Sequence, residues 1–148
     1  MYLDRYEYRR DKMLLDYEFY SSGPNGNIRK LISFVPRNED GITFFSLGFG
    51  DYLDEGEIDH LSRSDNKDTE KILATIAAAV IDFTSSFPDM GVYAIGSTVA
   101  RTRLYQMGVA RYWEYIEPLL LVYGFRNDKW EAFRKNANYQ AFFVRKKM

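Results

Sequence analysis

The segment DTEKILATIAAAVIDFTSSFP, Asp68 to Pro88, constrains the fold more than any other stretch of the chain. Ile72, Ile76, Val80 and Phe83 recur at steps of four, four and three residues, which lines them along one face of an α-helix. Alanines at 74, 77, 78 and 79 let that helix lie close to a flat partner. Asp68 or Thr69 is placed to cap it, Glu70 suits its first turn, and Pro88 ends it. Its partner has to be a sheet, because what precedes it has the period of strands.

In MLLDYEFYS, Met13 to Ser21, Leu15, Tyr17 and Phe19 alternate with Asp16, Glu18 and Tyr20, the pattern of a half-buried strand. SGPNGN, Ser22 to Asn27, supplies a hairpin turn. Ile28 to Val35 is the next strand, expected to stop at Pro36, and RNEDG turns the chain into ITFFSLGFG. These three strands read as an antiparallel meander, with Tyr2 to Arg10 offering a weaker edge strand. The stretch from Asp51 to Asp68 is acidic and aperiodic. It lacks the ligand register of an EF-hand and reads as a solvated loop, with no metal expected.

Beyond the helix, MGVYAIG reads as a buried strand, and ARTRLYQMG as a second helix closing near Gly108. VARYWEYIEPLLLVYGF, Val109 to Phe125, fits strand or helix about equally, and a helical turn followed by a strand is the working choice. NYQAFFVRKK closes the chain as a strand. The order βββ(β)-α-β-α-β(β) predicts a single α+β domain, residues 1–148, with two main helices packed on an antiparallel or mixed sheet.

Composition narrows the chemistry. The chain has no cysteine and one histidine, which excludes thiol nucleophiles, disulfides and Cys- or His-rich metal sites. His60 has no neighbouring serine that would make it a base and reads as a surface residue. No signal peptide or membrane span is indicated, so a cytoplasmic protein without membrane association is expected. Charge is uneven: residues 1–96 hold 10 Lys/Arg against 17 Asp/Glu, and residues 97–148 hold 10 against 4. Either the two parts attract one another within one fold, or the second presents a basic face to an anionic partner.

The segment GSTVARTRL, Gly96 to Leu104, carries the sharpest functional signal. A strand running through Gly96, Ser97 and Thr98 into a helix presents free backbone amides and two hydroxyls, which serve equally as helix caps or as anion ligands. Arg101 and Arg103 lie near the helix end that disfavours positive charge, and between Gly96 and Gly108 no acidic residue balances them. Two residues apart on a helix, they diverge by roughly 200°. Arg101 is expected to face an anion or a carboxylate of the 51–59 loop, and Arg103 to lie along a flank. Gly96, Ser97, Thr98, Arg101 and Arg103 therefore form the candidate anion or phosphate site. The two glycines of LGFGD, Leu47 to Asp51, mark a place where backbone can twist or approach a ligand.

LGFGD, KILATIAAAVIDF and above all GSTVARTRLYQMGV resemble an uncharacterised family of short bacterial proteins, a domain of unknown function, over about Asp16 to Lys147. That resemblance implies a small cytosolic protein and carries no activity. The element order is also similar to acyl-CoA-dependent N-acetyltransferases of the GNAT type, whose last helix carries a pattern like ARTRLYQMGV. The likeness implies a pyrophosphate turn before the first helix and makes Tyr105 the matching proton donor. Here that turn is SRSDNKDTEKIL, Ser62 to Leu73, without a glycine.

The leading functional expectation is a binding or regulatory protein. Its basic, aromatic C-terminal part (Arg111, Tyr112, Trp113, Arg126, Trp130, Arg134, Tyr139, Phe143, Arg145) would meet nucleic acid or a partner protein, since rings offer stacking faces and arginines neutralise phosphates. The alternatives are a GNAT-like acyltransferase, for which Tyr105 is the matching proton donor, and a homodimer whose exposed aromatics form the interface; Tyr123, like Tyr105, could donate a proton in transfer chemistry. No resident cofactor is called for.

Overall fold

A computed structural model describes residues 3–52 and 66–148, together with the backbone of 58–59. The calcium question, His60 and the first part of the Ser62–Leu73 turn fall outside the described side chains. The elements run β1 (Arg9–Arg10), β2 (Asp16–Gly23), β3 (Gly26–Glu39), β4 (Ile42–Tyr52), β5 (Ile58–Asp59), α1 (Thr69–Ser86), β6 (Val92–Ala94), α2 (Val99–Arg111), α3 (Trp113–Ile116), β7 (Leu120–Arg126), β8 (Lys129–Ala132) and β9 (Ala141–Lys146). They build one mixed sheet in the order β1-β2-β3-β4-β6-β9-β7-β8, with β5 paired to β4, so the fold is α+β.

β2, β3 and β4 form the expected meander, but its details differ from the sequence expectation. β3 does not stop at Pro36: it runs on to Glu39, with Pro36 opposite Phe45. The Phe45 N–H donates to the Gly91 carbonyl at 3.0 Å, on the side away from β3. Pro36 and Phe45 therefore exchange no ladder bonds, and the missing proline N–H falls on the edge that β2 has left after Ser33, where a strand tolerates proline. The turn into β4 is only Asp40-Gly41, both with positive φ (52° and 81°), the backbone that twisted hairpins require.

α1 buries Ile76, Val80 and Phe83 as its period predicts. Asp68 occupies the N-cap position without a side-chain cap bond, because its carboxylate is already engaged: Ser21 Oγ donates to it at 2.5 Å and Tyr6 Oη at 2.6 Å. The opposite side of α1 is covered too. Leu3 packs on Ala74 and Ala78, and the Tyr6 N–H donates to Thr75 Oγ1 at 2.9 Å, so the N-terminal segment lies across the helix. α2 does not close at Gly108 but continues to Arg111. Gly108 sits where α2 meets α1, and a β-carbon there would approach Leu73 Cβ to 3.2 Å.

Both helices lie on one face of the sheet, and the connectivity explains why. β4 to β6 through α1, and β6 to β7 through α2, are parallel crossovers that step in the same direction along the sheet. Such crossovers keep one hand, so both helices fall on the same side. Between them and the sheet lies an apolar layer that includes Leu47, Leu73, Val80, Tyr105, Val122 and Val144. Among the described residues, no helix packs on the other face. No helix among the described residues is long and apolar enough to cross a membrane.

Burial pushes the phenols of Tyr17 and Tyr105 up from 10.0 to about 12, against the opposing pull of the Arg10 and Arg101 guanidiniums beside them. In the unfolded chain both ionise first, so their contribution to stability is complete below pH 10.0 and is lost as pH rises toward about 12. The urea midpoint is expected to fall through that window in step with phenolate absorbance. An unchanged midpoint would contradict this burial.

Candidate binding surface

The N-terminus of α2 is built by its first residues. Thr98 is extended (φ −137°, ψ 163°) and its Oγ1 accepts the Arg101 N–H at 3.1 Å. The Gly96 N–H donates to Thr102 Oγ1 at 2.9 Å, folding the β6–α2 turn against the helix. The Arg101 side chain turns inward, its Nη1 donating to the Phe49 carbonyl at 2.9 Å, while Arg103 points outward and is exposed. The divergence of the two arginines is as the spacing predicts. Gly96, Thr98 and Arg101 thus hold α2 to β6 and β4, and Ser97 lies exposed at the turn.

The larger feature is the uncovered sheet face. Strand register places Val35, Ser46, Tyr93, Phe143 and Tyr123 side by side in one row across β3, β4, β6, β9 and β7. Phe125 and Trp130 pair on the adjoining β7–β8 hairpin, their rings 5.2 Å apart. Trp130 also meets Phe143 at 6.2 Å and Tyr93 at 6.3 Å, edge-on in each case. Two residues along each strand from the Phe143 row come Arg37 beside Phe44 on β3 and β4, and Arg145 beside Leu121 on β9 and β7. Rings and arginines together border an open hollow of about 640 Å³ that also includes Glu39. Trp130 is 44% exposed.

Arg37 Nε donates to Ser46 Oγ at 3.4 Å, and among the described residues neither Arg37 nor Arg145 makes an ion pair. The Phe143 ring lies over Gly91, where a β-carbon would come within 2.1 Å of Cζ. The glycine lets that ring lie down into the platform.

The basic aromatic residues of the C-terminal part do not share one surface. Arg111 pairs with Glu70 at 3.0 Å, and the Tyr112 hydroxyl donates to the Glu70 carbonyl at 2.9 Å. Trp113 packs on Phe133, with 4.9 Å between ring centroids. Arg126 pairs with Glu131 at 3.0 Å, holding that carboxyl below its ordinary range, and the buried Tyr139 donates to the same carboxylate at 2.8 Å. Arg134 is exposed elsewhere. Only Trp130, Phe143 and Arg145 of that set reach the hollow, where they meet Arg37, Phe44, Ser46, Tyr93 and Tyr123. Of the missing members, Phe44 has a sequence signal, the doublet Phe44-Phe45 in β4, echoed by Phe142-Phe143 in β9: adjacent rings in a strand point to opposite faces, so one of each pair has to leave the core.

Tyr105 is buried in the apolar layer between the helices and the sheet. Nearby, β4 and β6 run parallel only from Phe45 and Val92 to Leu47 and Ala94. β4 then continues to Tyr52 while the chain after Ala94 turns into α2, and the Arg101 guanidinium reaches across this opening to Phe49.

The model of DUF6934, a family of unknown function, matches residues 2–147. No curated protein and no solved structure matches the chain.

Proposed function

The chain belongs to DUF6934, and we propose that this member is a cytoplasmic binding protein whose working surface is the uncovered sheet face. One observation carries the proposal: a row containing two arginines lies beside a band of rings on a face that no helix among the described residues covers. Aromatic side chains that only stabilised the fold would bury themselves against a second layer. The expected anion site at Gly96, Ser97, Thr98, Arg101 and Arg103 has a smaller place here, because Thr98 and Phe49 engage the Arg101 amide and guanidinium.

Surface rings should be dispensable for folding. The double variant Phe44→Thr/Trp130→Thr is expected to lose less than about 2 kcal/mol in urea denaturation, where truncating core rings costs about 3–5 kcal/mol each. A loss of core size would make the face part of the core and end the proposal.

Acyl transfer is a second function that one observation favours, the parting of parallel β4 and β6 beside Tyr105. Opposing it, the N-terminus of α1, where a pyrophosphate would sit, carries Asp68 and Glu70, and anions repel one another there. Acetyl-CoA at about 100 times its dissociation constant would add about 2.7 kcal/mol of stability. The binding-protein proposal expects no thermal shift with acetyl-CoA.

A further inference from the structure

We propose that the uncovered face takes single-stranded nucleic acid, laid across the strands with phosphates along the Arg37–Arg145 row and bases stacked on the neighbouring rings. The assignment rests on the proposal that this face is the working surface and adds what occupies it. β3 and β9 are three strand spacings apart, which separates the two arginines by about 14 Å. That distance spaces two phosphates of one chain with bases between them. Beside this row, Tyr93, Phe143 and Tyr123 stand on successive strands and Trp130 rises next to them, so the rings follow the same direction as the arginines.

The two kinds of group complement the two parts of a nucleotide. Rings accept any unstacked base, and guanidiniums meet phosphate oxygens in pairs. A duplex hides its base faces and cannot use the rings. Glu39, two residues beyond Arg37 on β3 and also at the hollow, repels phosphate past that end and limits the path to the arginine row. A second copy of the chain fits less well: pairing this face with itself would desolvate Arg37 and Arg145 of both copies, and among the described residues lining each hollow Glu39 is the one opposing charge.

The test uses the full chain with Trp113→Phe, which leaves Trp130 as the single tryptophan of the two in the sequence. Mixed-sequence single-stranded RNA, single-stranded DNA and a duplex of the same sequence are titrated at several salt concentrations, reading Trp130 fluorescence and the anisotropy of labelled oligonucleotide. Quenching by one or both single strands is expected, with the duplex at least about tenfold weaker. The logarithm of affinity should fall against that of salt with a slope of about −1.4, or about 0.7 for each of two phosphates, and Arg145→Gln should halve it. Trp130→Ala, read by anisotropy, should weaken binding about fivefold or more.

Absence of quenching by single strands at low salt overturns the assignment, as does equal affinity for the duplex or a slope that Arg145→Gln leaves unchanged. A dimer in sedimentation that Trp130→Glu dissociates would also overturn it, giving the face to a second copy. If the oligonucleotides fail while Phe44→Thr/Trp130→Thr keeps its stability, only the ligand is wrong. If that double variant unfolds, the working surface falls with it.

Discussion

Phe83→Ala is expected to cost about 3–5 kcal/mol, a large part of the roughly 5–15 kcal/mol that holds a domain of this size folded. Phe83 is fully buried at the centre of the layer between α1 and the meander. It stacks on Phe34 with 4.2 Å between centroids, meets Phe45 edge-on at 5.0 Å and touches Phe87 at 5.1 Å. Truncation removes one ring from a four-ring cluster held by two strands and a helix, and the rigid strands cannot collapse into the space. Urea denaturation measures the loss directly. A cost below about 1 kcal/mol would show that α1 does not seat on the sheet through this residue.

Gly96→Ala is the second large effect, expected at about 3 kcal/mol, the upper end for forcing extra volume into a packed site. Its β-carbon would lie 2.5 Å from the Thr102 nitrogen and 2.7 Å from the Arg101 carbonyl carbon. Both are backbone atoms of the first turn of α2, so no side chain can rotate away. The β6–α2 turn would have to open, losing the Gly96 N–H bond to Thr102 Oγ1. Thr98→Ala, which removes only the cap at Arg101, is expected to cost about 1 kcal/mol. Equal losses for the two variants in thermal denaturation would contradict the close approach at Gly96.

Local periodicity made much of the fold legible. The stripe on α1, the alternation in β2 and the apolar run of β6 each needed only neighbouring residues, and each appears where its spacing puts it. Pro36 misled because the penalty for proline depends on whether the next strand is still paired, which is a long-range fact. Gly108 misled because a glycine inside a helix can serve a close helix crossing as well as an end. β8 was hidden in Asn127-Asp128, a turn with both φ positive (53° and 61°) but no glycine to announce it.

The candidate surface was half legible. Trp130, Phe143 and Arg145 stand out as basic and aromatic, but Arg37, Phe44 and Tyr93 come from strands far away in sequence, and only the sheet order β3-β4-β6-β9-β7-β8 joins them. Charge asymmetry pointed to the C-terminal part as a block. Pairing of Arg111 with Glu70 and of Arg126 with Glu131 removes two of its arginines from any such face.

The uncovered face is tested most directly by backbone-amide NMR of the full chain during addition of a mixed-sequence single-stranded oligonucleotide. The account predicts shifts concentrated at Phe44, Ser46, Tyr93, Tyr123, Phe143 and Arg145, with α1 unchanged. Shifts confined to Ser97 through Arg103 at the start of α2, with the sheet silent, would contradict it.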